Sequence, residues 1–306
     1  MNYKVSGHEK FSLRYTWLPK AIIALKEDSK IFSKFDDAIV LMGVGKNMAQ
    51  SIKFWALSTQ IAELDGQGGL RETEFGHSLF SSEGLDPYIE DIKTLWLLHW
   101  KLSTHRDAPL LAWDFLLNKW HEPEISRSSV LNVLENEKIT TNPSTNTLKD
   151  HLDIFIRTYV PTRGVKGKIK EDNLDCPLVE LELIQKIGDK VYSSEEGKPE
   201  PVYIFNRDDK PEITPELFAF CVYEFILNEH SNESTVSFHE LSVGHRSPGQ
   251  VFKLSESNLR SRLEDIEKDT NGQFVYTESS NLQQLQVVTQ SNKSELLKKI
   301  YQLEVV

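Results

Sequence analysis

Apolar positions recur at helical spacing through the first third of the chain: Trp17 to Leu25, Asp36 to Met42, and a run starting at Lys46. In the third run Met48, Ile52, Trp55 and Thr59 share one side of the predicted helix, and Lys46, Gln50 and Lys53 share the other. One face is patterned to pack and the other to touch something polar. Gly43-Val44-Gly45 supplies a tight turn before this helix, and Gly66-Gln67-Gly68-Gly69 a second turn after it. Leu70 to Gly76 then alternates in the manner of a strand returning to the core. Helix, helix, helix, hairpin predicts an N-terminal winged helix-turn-helix over residues 1–85, with the helix from Lys46 as the element that enters a nucleic-acid groove.

Asp86-Pro87 breaks this pattern, and three helices are predicted beyond it. Thr94 to Ser103 has indoles and leucines on every side and reads as buried, Leu110 to Trp120 follows, and Ser144 to Tyr159 carries the stripe Leu148, Leu152, Phe155, Tyr159. Residues 86–170 therefore form a helical region ending in a basic loop. From residue 171 the chain changes character. Cys176 to Ile184 packs, Val191-Tyr192 and Val202 to Phe205 read as strands, and Thr214-Pro215 starts a helix reaching about Asn228. Ser237 to Leu241, a turn at Gly244 to Gly249, and a helix from Ser255 to about Lys268 follow. Asn271-Gly272 is predicted to turn a hairpin between Phe274 to Tyr276 and Leu285 to Val288. This repeats the winged-helix order within 171–306, though Glu256, Glu264 and Asp265 dilute its face and favour protein contact. A last helix, Lys293 to Gln302, is expected to dock or to pair with another subunit. The fold class is mainly α with small β-hairpins (α+β).

Length and charge sharpen this picture. A chain of 306 residues suits two or three domains, and 39% hydrophobic content with six Trp and fifteen Phe is enough for substantial cores. The formal net charge of −11 excludes a uniformly basic nucleic-acid coat, so phosphate contact must come from local patches. Two patches qualify. Met42 to Ala62 holds no acidic residue, and Arg157 to Lys170 carries Arg157, Arg163, Lys166, Lys168 and Lys170 without an acid, as either a DNA backbone contact or a solvated linker. Gly43-x-Gly45-Lys46 is no phosphate loop, because Val40 stands where that motif needs glycine and Asn47 where it needs Ser or Thr. Two isolated cysteines, Cys176 and Cys221, fit a reducing compartment and no zinc site. The start lacks a signal-peptide core, and no apolar run approaches the ~20 residues that cross a bilayer, so a cytoplasmic protein is expected.

Candidate chemistry is clustered in two places. His8, Glu9 and Arg14 crowd one short segment, where they either bind phosphate or a metal or form an Arg14 to Glu9 ion pair. Asp86, Glu90 and Asp91 lie together with His99 and His105 downstream. Such acids either hold magnesium or manganese as nucleases do, or cap the next helix. No nucleotide or haem site is implied.

Three groups of residues carry a family resemblance. They are Gly7-His8-Glu9 with Phe11, Leu13-Arg14-Tyr15 and Trp17-Leu18; Gly43 to Met48 with Ser51-Ile52 and Trp55-Ala56; and Asp86-Pro87-Tyr88 with Glu90-Asp91 and Thr94 to Trp100. With Leu148-Lys149-Asp150, Arg157-Thr158-Tyr159 and Glu171 to Leu178, they make most of the chain resemble the SspB family of bacterial DNA phosphorothioation systems. The resemblance implies a role in exchanging a non-bridging phosphate oxygen of DNA for sulfur, beside a cysteine desulfurase, an ATP-pyrophosphatase-like sulfurtransferase and an ATPase, and an association with DNA nicking and phage defence. It brings no assigned catalytic set. The expected protein is a DNA-binding nickase with Mg2+ or Mn2+, read through Lys46, Asn47, Gln50, Lys53 and Arg14, with Glu9, Asp86, Glu90, Asp91 and His8 as candidate catalytic groups. The alternatives are a non-catalytic DNA-binding adaptor and a winged-helix transcriptional regulator.

Overall fold

The computed structural model describes residues 2–136, 143–162, 176–191, 197, 199–289 and 292–302. The chain opens with α1 (Trp17–Glu27), α2 (Phe35–Met42) and α3 (Lys46–Ser58), then the antiparallel hairpin β1 (Ala62–Leu64) and β2 (Leu70–Glu72), then α4 (Glu74–Phe80). Gly43 ends α2 in the left-handed region at φ 63°, where a side chain is disfavoured, and Gly45 enters α3 in extended conformation. The strand expected through Gly76 stops at Glu72. Thr73 Oγ1 accepts from the Gly76 N–H and starts α4, and a Cβ at Gly76 would fall 2.1 Å from the Ile61 carbonyl oxygen.

The middle region holds α5 (Ile92–Thr104), α6 (Leu111–Asn118), a short β3 (Ile125–Ser126), α7 (Arg127–Asn136) and α8 (Thr145–Tyr159). Every residue of α5 from Thr94 to Thr104 is buried, as its all-round apolar pattern predicts. A 3-10 turn (Pro177–Leu181) leads to β4 (Ile184–Lys190) and β5 (Glu200–Phe205), which form an antiparallel sheet in the order β3-β5-β4. The strand pairing with β5 is thus Ile184–Lys190; Val191 lies past its end, and Tyr192 is outside the described residues.

Next come α9 (Pro215–Glu229), β6 (Thr235–Ser237), α10 (Phe238–Val243), α11 (Pro248–Phe252), α12 (Glu256–Asp269), β7 (Phe274–Ser279), β8 (Leu282–Val287) and α13 (Lys293–Tyr301). The second sheet has the order β6-β8-β7. Asn271 and Gly272, both at positive φ, turn the chain from α12 into β7 instead of joining two strands. The hairpin turns at Ser280-Asn281, since Ser279 pairs with Leu282. Part of the expected Gly244–Gly249 turn is α11, with Ser247 as its cap and Pro248 in its first turn. The last helix docks within its own chain: α13 packs on α9, and Lys93 Nζ donates to the Ile300 carbonyl at 2.8 Å.

The architecture is α+β, and one contiguous hydrophobic core runs from Val5 to Ile300. The expected divisions near residues 85 and 170 are bridged: Lys4 pairs with Leu110, α13 packs on α4, and β3 shares a sheet with β5. Among the described residues no helix is long and apolar enough to cross a membrane.

Candidate nucleic-acid interface

At the α2–α3 turn no atom stands within 4 Å of a Cβ built on Gly43 or Gly45, so the backbone is open to an approaching ligand. Lys46 and Asn47 are exposed at the head of α3, and no side chain caps its first amides. An uncapped helix start carries partial positive charge and free N–H groups, which favour an anion. The helix is otherwise buried on most sides, through Ala49, Ser51, Ile52, Phe54, Trp55, Ala56 and Ser58, while Gln50 and Lys53 are half-buried. Its polar face is therefore narrower than the pattern suggests, confined to the first turn and one edge.

Beside this turn lies a cleft of about 540 Å³, lined by Arg14, Lys20, Gly43, Val44, Met48 and Glu180 among others. Lys20 Nζ closes the end of α2 by donating to the Met42 carbonyl at 2.9 Å. The Arg14 guanidinium lies over the rings of Phe11 and Trp17, at 5.7 and 5.4 Å from their centroids. Across the cleft, the Tyr15 hydroxyl donates to the Glu180 carboxylate; burial first, and that bond second, push the Tyr15 phenol up. Cys176 also lines the wall. Arg163, Lys166, Lys168 and Lys170, in the segment joining Thr162 to Cys176, lie outside the described residues.

The N-terminal segment locks α3 from beneath. Ser51 Oγ donates to the His8 carbonyl and Trp55 Nε1 to the Phe11 carbonyl, each at 3.1 Å. Gly7, at φ 105°, lies against Phe54, whose ring would stand 3.0 Å from a Cβ there. Lys53 stands near Lys4; burial lowers the Lys4 ammonium, and the Lys53 charge lowers it further.

His8 faces inward. It stacks on His151 with ring centroids 5.5 Å apart, and its Nδ1 accepts from the Lys10 N–H. Burial lowers His8 to about 4, against a smaller opposing pull from Asp150, and lowers His151 to about 3. Glu9 is exposed, and no ion pair joins it to Arg14 among the described residues. Asp86 is buried and organises its own loop: Oδ1 accepts from Glu90 N, and Oδ2 from Asp91 N and Thr94 Oγ1. Asp91 caps α5 through the Lys93 N–H and also pairs with Lys93 Nζ. Glu90 is exposed.

The structure thus brings Arg14 to the α3 turn and sets His8 beneath α3, while Glu9, Asp86, Glu90 and Asp91 do not line the cleft at the turn. Among the described residues no group of three or more His, Cys, Asp or Glu could hold a metal ion. Lys20 escaped the sequence reading because nothing local marks a helix-facing lysine as the cap of the next helix. Asp114 also escaped, although an acid inside the apolar run Leu110 to Trp120 is a visible signal. It is buried and accepts from Tyr3 Oη at 2.6 Å and from His245 Nε2 at 2.7 Å.

The protein is an α+β chain with α3 set on a folded N-terminal segment. It belongs to the family described as "Protein of unknown function (DUF4007)", which matches residues 5–301. Its fold is that of SspB: the magnesium ion-bound SspB crystal structure superposes with a TM-score of 0.82 at 23% identity, over 98% of this chain and 87% of that one. A second SspB crystal structure matches with the same TM-score and coverage at 22% identity. No curated protein matches the sequence.

Proposed function

We propose that the chain is a DNA-binding component of a DNA phosphorothioate modification and defence system. The SspB fold supports the setting, and a cysteine desulfurase, a sulfurtransferase and an ATPase are the partners proposed with it. The carrying observation is the open, uncapped start of α3, with Lys46 and Asn47 exposed beside a cleft that holds Arg14 and Lys20. In this reading α2 and α3 act as a helix-turn-helix, β1–β2 as the wing, and Gln50, Lys53 and the 163–170 segment extend the contact. Anisotropy of a labelled duplex at about 50 and about 200 mM salt tests it: binding weakens at least about tenfold across that range. Lys46→Ala and Lys20→Ala lower affinity similarly for unrelated sequences and reduce the salt slope by about 1 each. Unchanged binding by both variants refutes the interface.

Nicking with Mg2+ or Mn2+ is the finer proposal, motivated by the acids at Glu9, Asp86, Glu90 and Asp91, by His8, and by the magnesium ion-bound SspB crystal structure. Supercoiled plasmid, with and without EDTA, is the assay, and Asp86→Asn accompanies the alanine variants because Asp86 also holds its loop. The second reading, a non-catalytic adaptor, is favoured by one observation: both Asp86 oxygens and both Asp91 oxygens are already engaged by protein donors. Salt-dependent binding that leaves plasmid intact with either metal decides for the adaptor.

A further inference from the structure

The stacked rings of His8 and His151 lie at the base of α3, inclined to each other by 19° and exposed to only 4% and 1%. The segment carrying His8 is strained. Gly7, Glu9 and Lys10 all take positive φ, at 105°, 47° and 63°, and two of the three are not glycine. Such a conformation persists only where its surroundings over-determine it. Here Arg157 donates to the Lys10 carbonyl at 2.8 Å, Lys10 Nζ pairs with Asp150 at 2.9 Å, and Ser51 donates to the His8 carbonyl.

Backbone amides fix the hydrogens on both rings. The Lys10 N–H donates to His8 Nδ1 at 3.1 Å, and the Ala112 N–H, in the first turn of α6, donates to His151 Nε2 at 3.2 Å. Each of these nitrogens must therefore offer a lone pair. Burial keeps both rings neutral near pH 7, and a neutral imidazole has one donor and one acceptor. The hydrogens consequently sit on His8 Nε2 and His151 Nδ1. Both atoms are buried, and neither has a hydrogen-bond partner among the described residues. Buried donors of this kind are normally answered by a ligand or an internal water.

The chemistry of the pair selects between these. A metal ion needs a lone pair at the nitrogen where each ring holds its hydrogen. An anion needs a buried positive charge, but both rings are neutral, Lys10 is paired with Asp150, and Arg157 is half-exposed. A small neutral acceptor remains. One oxygen at ordinary N–H···O distances spans two donors up to about 6 Å apart, and the ring centroids are 5.5 Å apart. The Val5 carbonyl, which favours a proton on His8, is an acceptor for the same molecule's own hydrogen.

We propose that one internal water accepts from His8 Nε2–H and His151 Nδ1–H and donates to the Val5 carbonyl, completing the polar seat of α3. Three bonds are usual for a buried water. The proposal does not rest on the DNA reading, which uses other residues. Two-bond 1H–15N correlation of the full chain at pH 7, with 15N in its histidines, tests it. His8 is protonated on Nε2, and His151 on Nδ1. Rotating-frame cross-peaks from water to both ring hydrogens carry the sign of dipolar contact, opposite to that of exchange, and added sodium bromide leaves the ring shifts unchanged. His8→Phe and His151→Phe, which keep an aromatic ring at each place, assign the signals. Three results each overturn the proposal: His151 is protonated on Nε2, either ring hydrogen shows exchange alone, or bromide shifts both rings saturably and so identifies an anion.

Discussion

Tyr159 shows how a single hydroxyl joins distant parts of the chain. It accepts from Trp113 Nε1 at 2.8 Å and donates to His99 Nδ1 at 2.7 Å, and His99 Nε2–H then donates to the Val251 carbonyl at 2.9 Å. The direction is forced, because an indole N–H only donates and a carbonyl only accepts. Burial holds His99 down at about 4 and pushes the Tyr159 phenol up, so both are neutral near pH 7. Tyr159→Phe keeps the ring but strands the indole N–H and the His99 nitrogen, each at a cost of about 1–3 kcal/mol. Urea unfolding of the variant checks this, and a midpoint equal to the parent's would show the chain of bonds to be energetically idle. Read locally, His99 stands downstream of three acids and looks like a metal ligand. Its partners lie 60 and 152 positions away, so residue-scale chemistry at this site was not legible before the fold was known.

At the scale of elements, helices with an apolar stripe were legible because the period defines them: α3, α8 and α12 fall within a residue or two of their expected spans, and α9, buried on every side, was marked instead by its Thr214-Pro215 start. Short elements were not. α11 occupies five residues inside a Gly/Pro-rich stretch, where the turn signal outweighs the Ser247-Pro248 start. α7 buries only Val130, Leu131 and Leu134 on an otherwise polar surface, which leaves little pattern to read. Asn271-Gly272 misled because the same left-handed geometry that turns a hairpin also ends a helix. The two glycines before α3 separate these uses of glycine in one test. Gly43→Ala forces a Cβ into φ 63° and destabilises by about 1 kcal/mol, whereas Gly45, extended and unobstructed, accepts Ser with a gain of a few tenths. Gly45→Asp caps the helix equally well yet sets a carboxylate against incoming phosphate, so duplex affinity at low salt falls roughly two- to fivefold. Stability that rises while affinity falls is the expected signature; equal affinity for the Ser and Asp variants would detach this turn from DNA.

The whole molecule carries three buried imidazoles on different elements: His8 in the N-terminal segment, His99 on α5 and His151 on α8. Burial is the leading cause in each, lowering them to about 4, about 4 and about 3 from an unfolded value near 6.5. A depressed folded value means that the unfolded chain binds the extra proton first. The contribution of these residues is complete above about pH 6.5 and drains away as pH falls toward 4, with a combined slope of up to about 4 kcal/mol per pH unit. Asp114 acts in a different window. Burial alone would raise it, but the bonds from His245 and Tyr3 outweigh burial and hold it at about 2, so its contribution persists until the pH drops below the ordinary carboxylate range. Urea titrations at pH 7, 6 and 5 should therefore show a steep loss with midpoints falling together, because one core links the three histidines. His151→Leu removes one titrating site and flattens the slope by about one proton, even though the variant itself is less stable. A parent slope below about one proton in this interval would mean that the imidazoles reach water before the fold opens. The N-terminal knot beneath α3 would then be a local unfolding unit, and its opening would separate acid loss of DNA binding from acid loss of the fold.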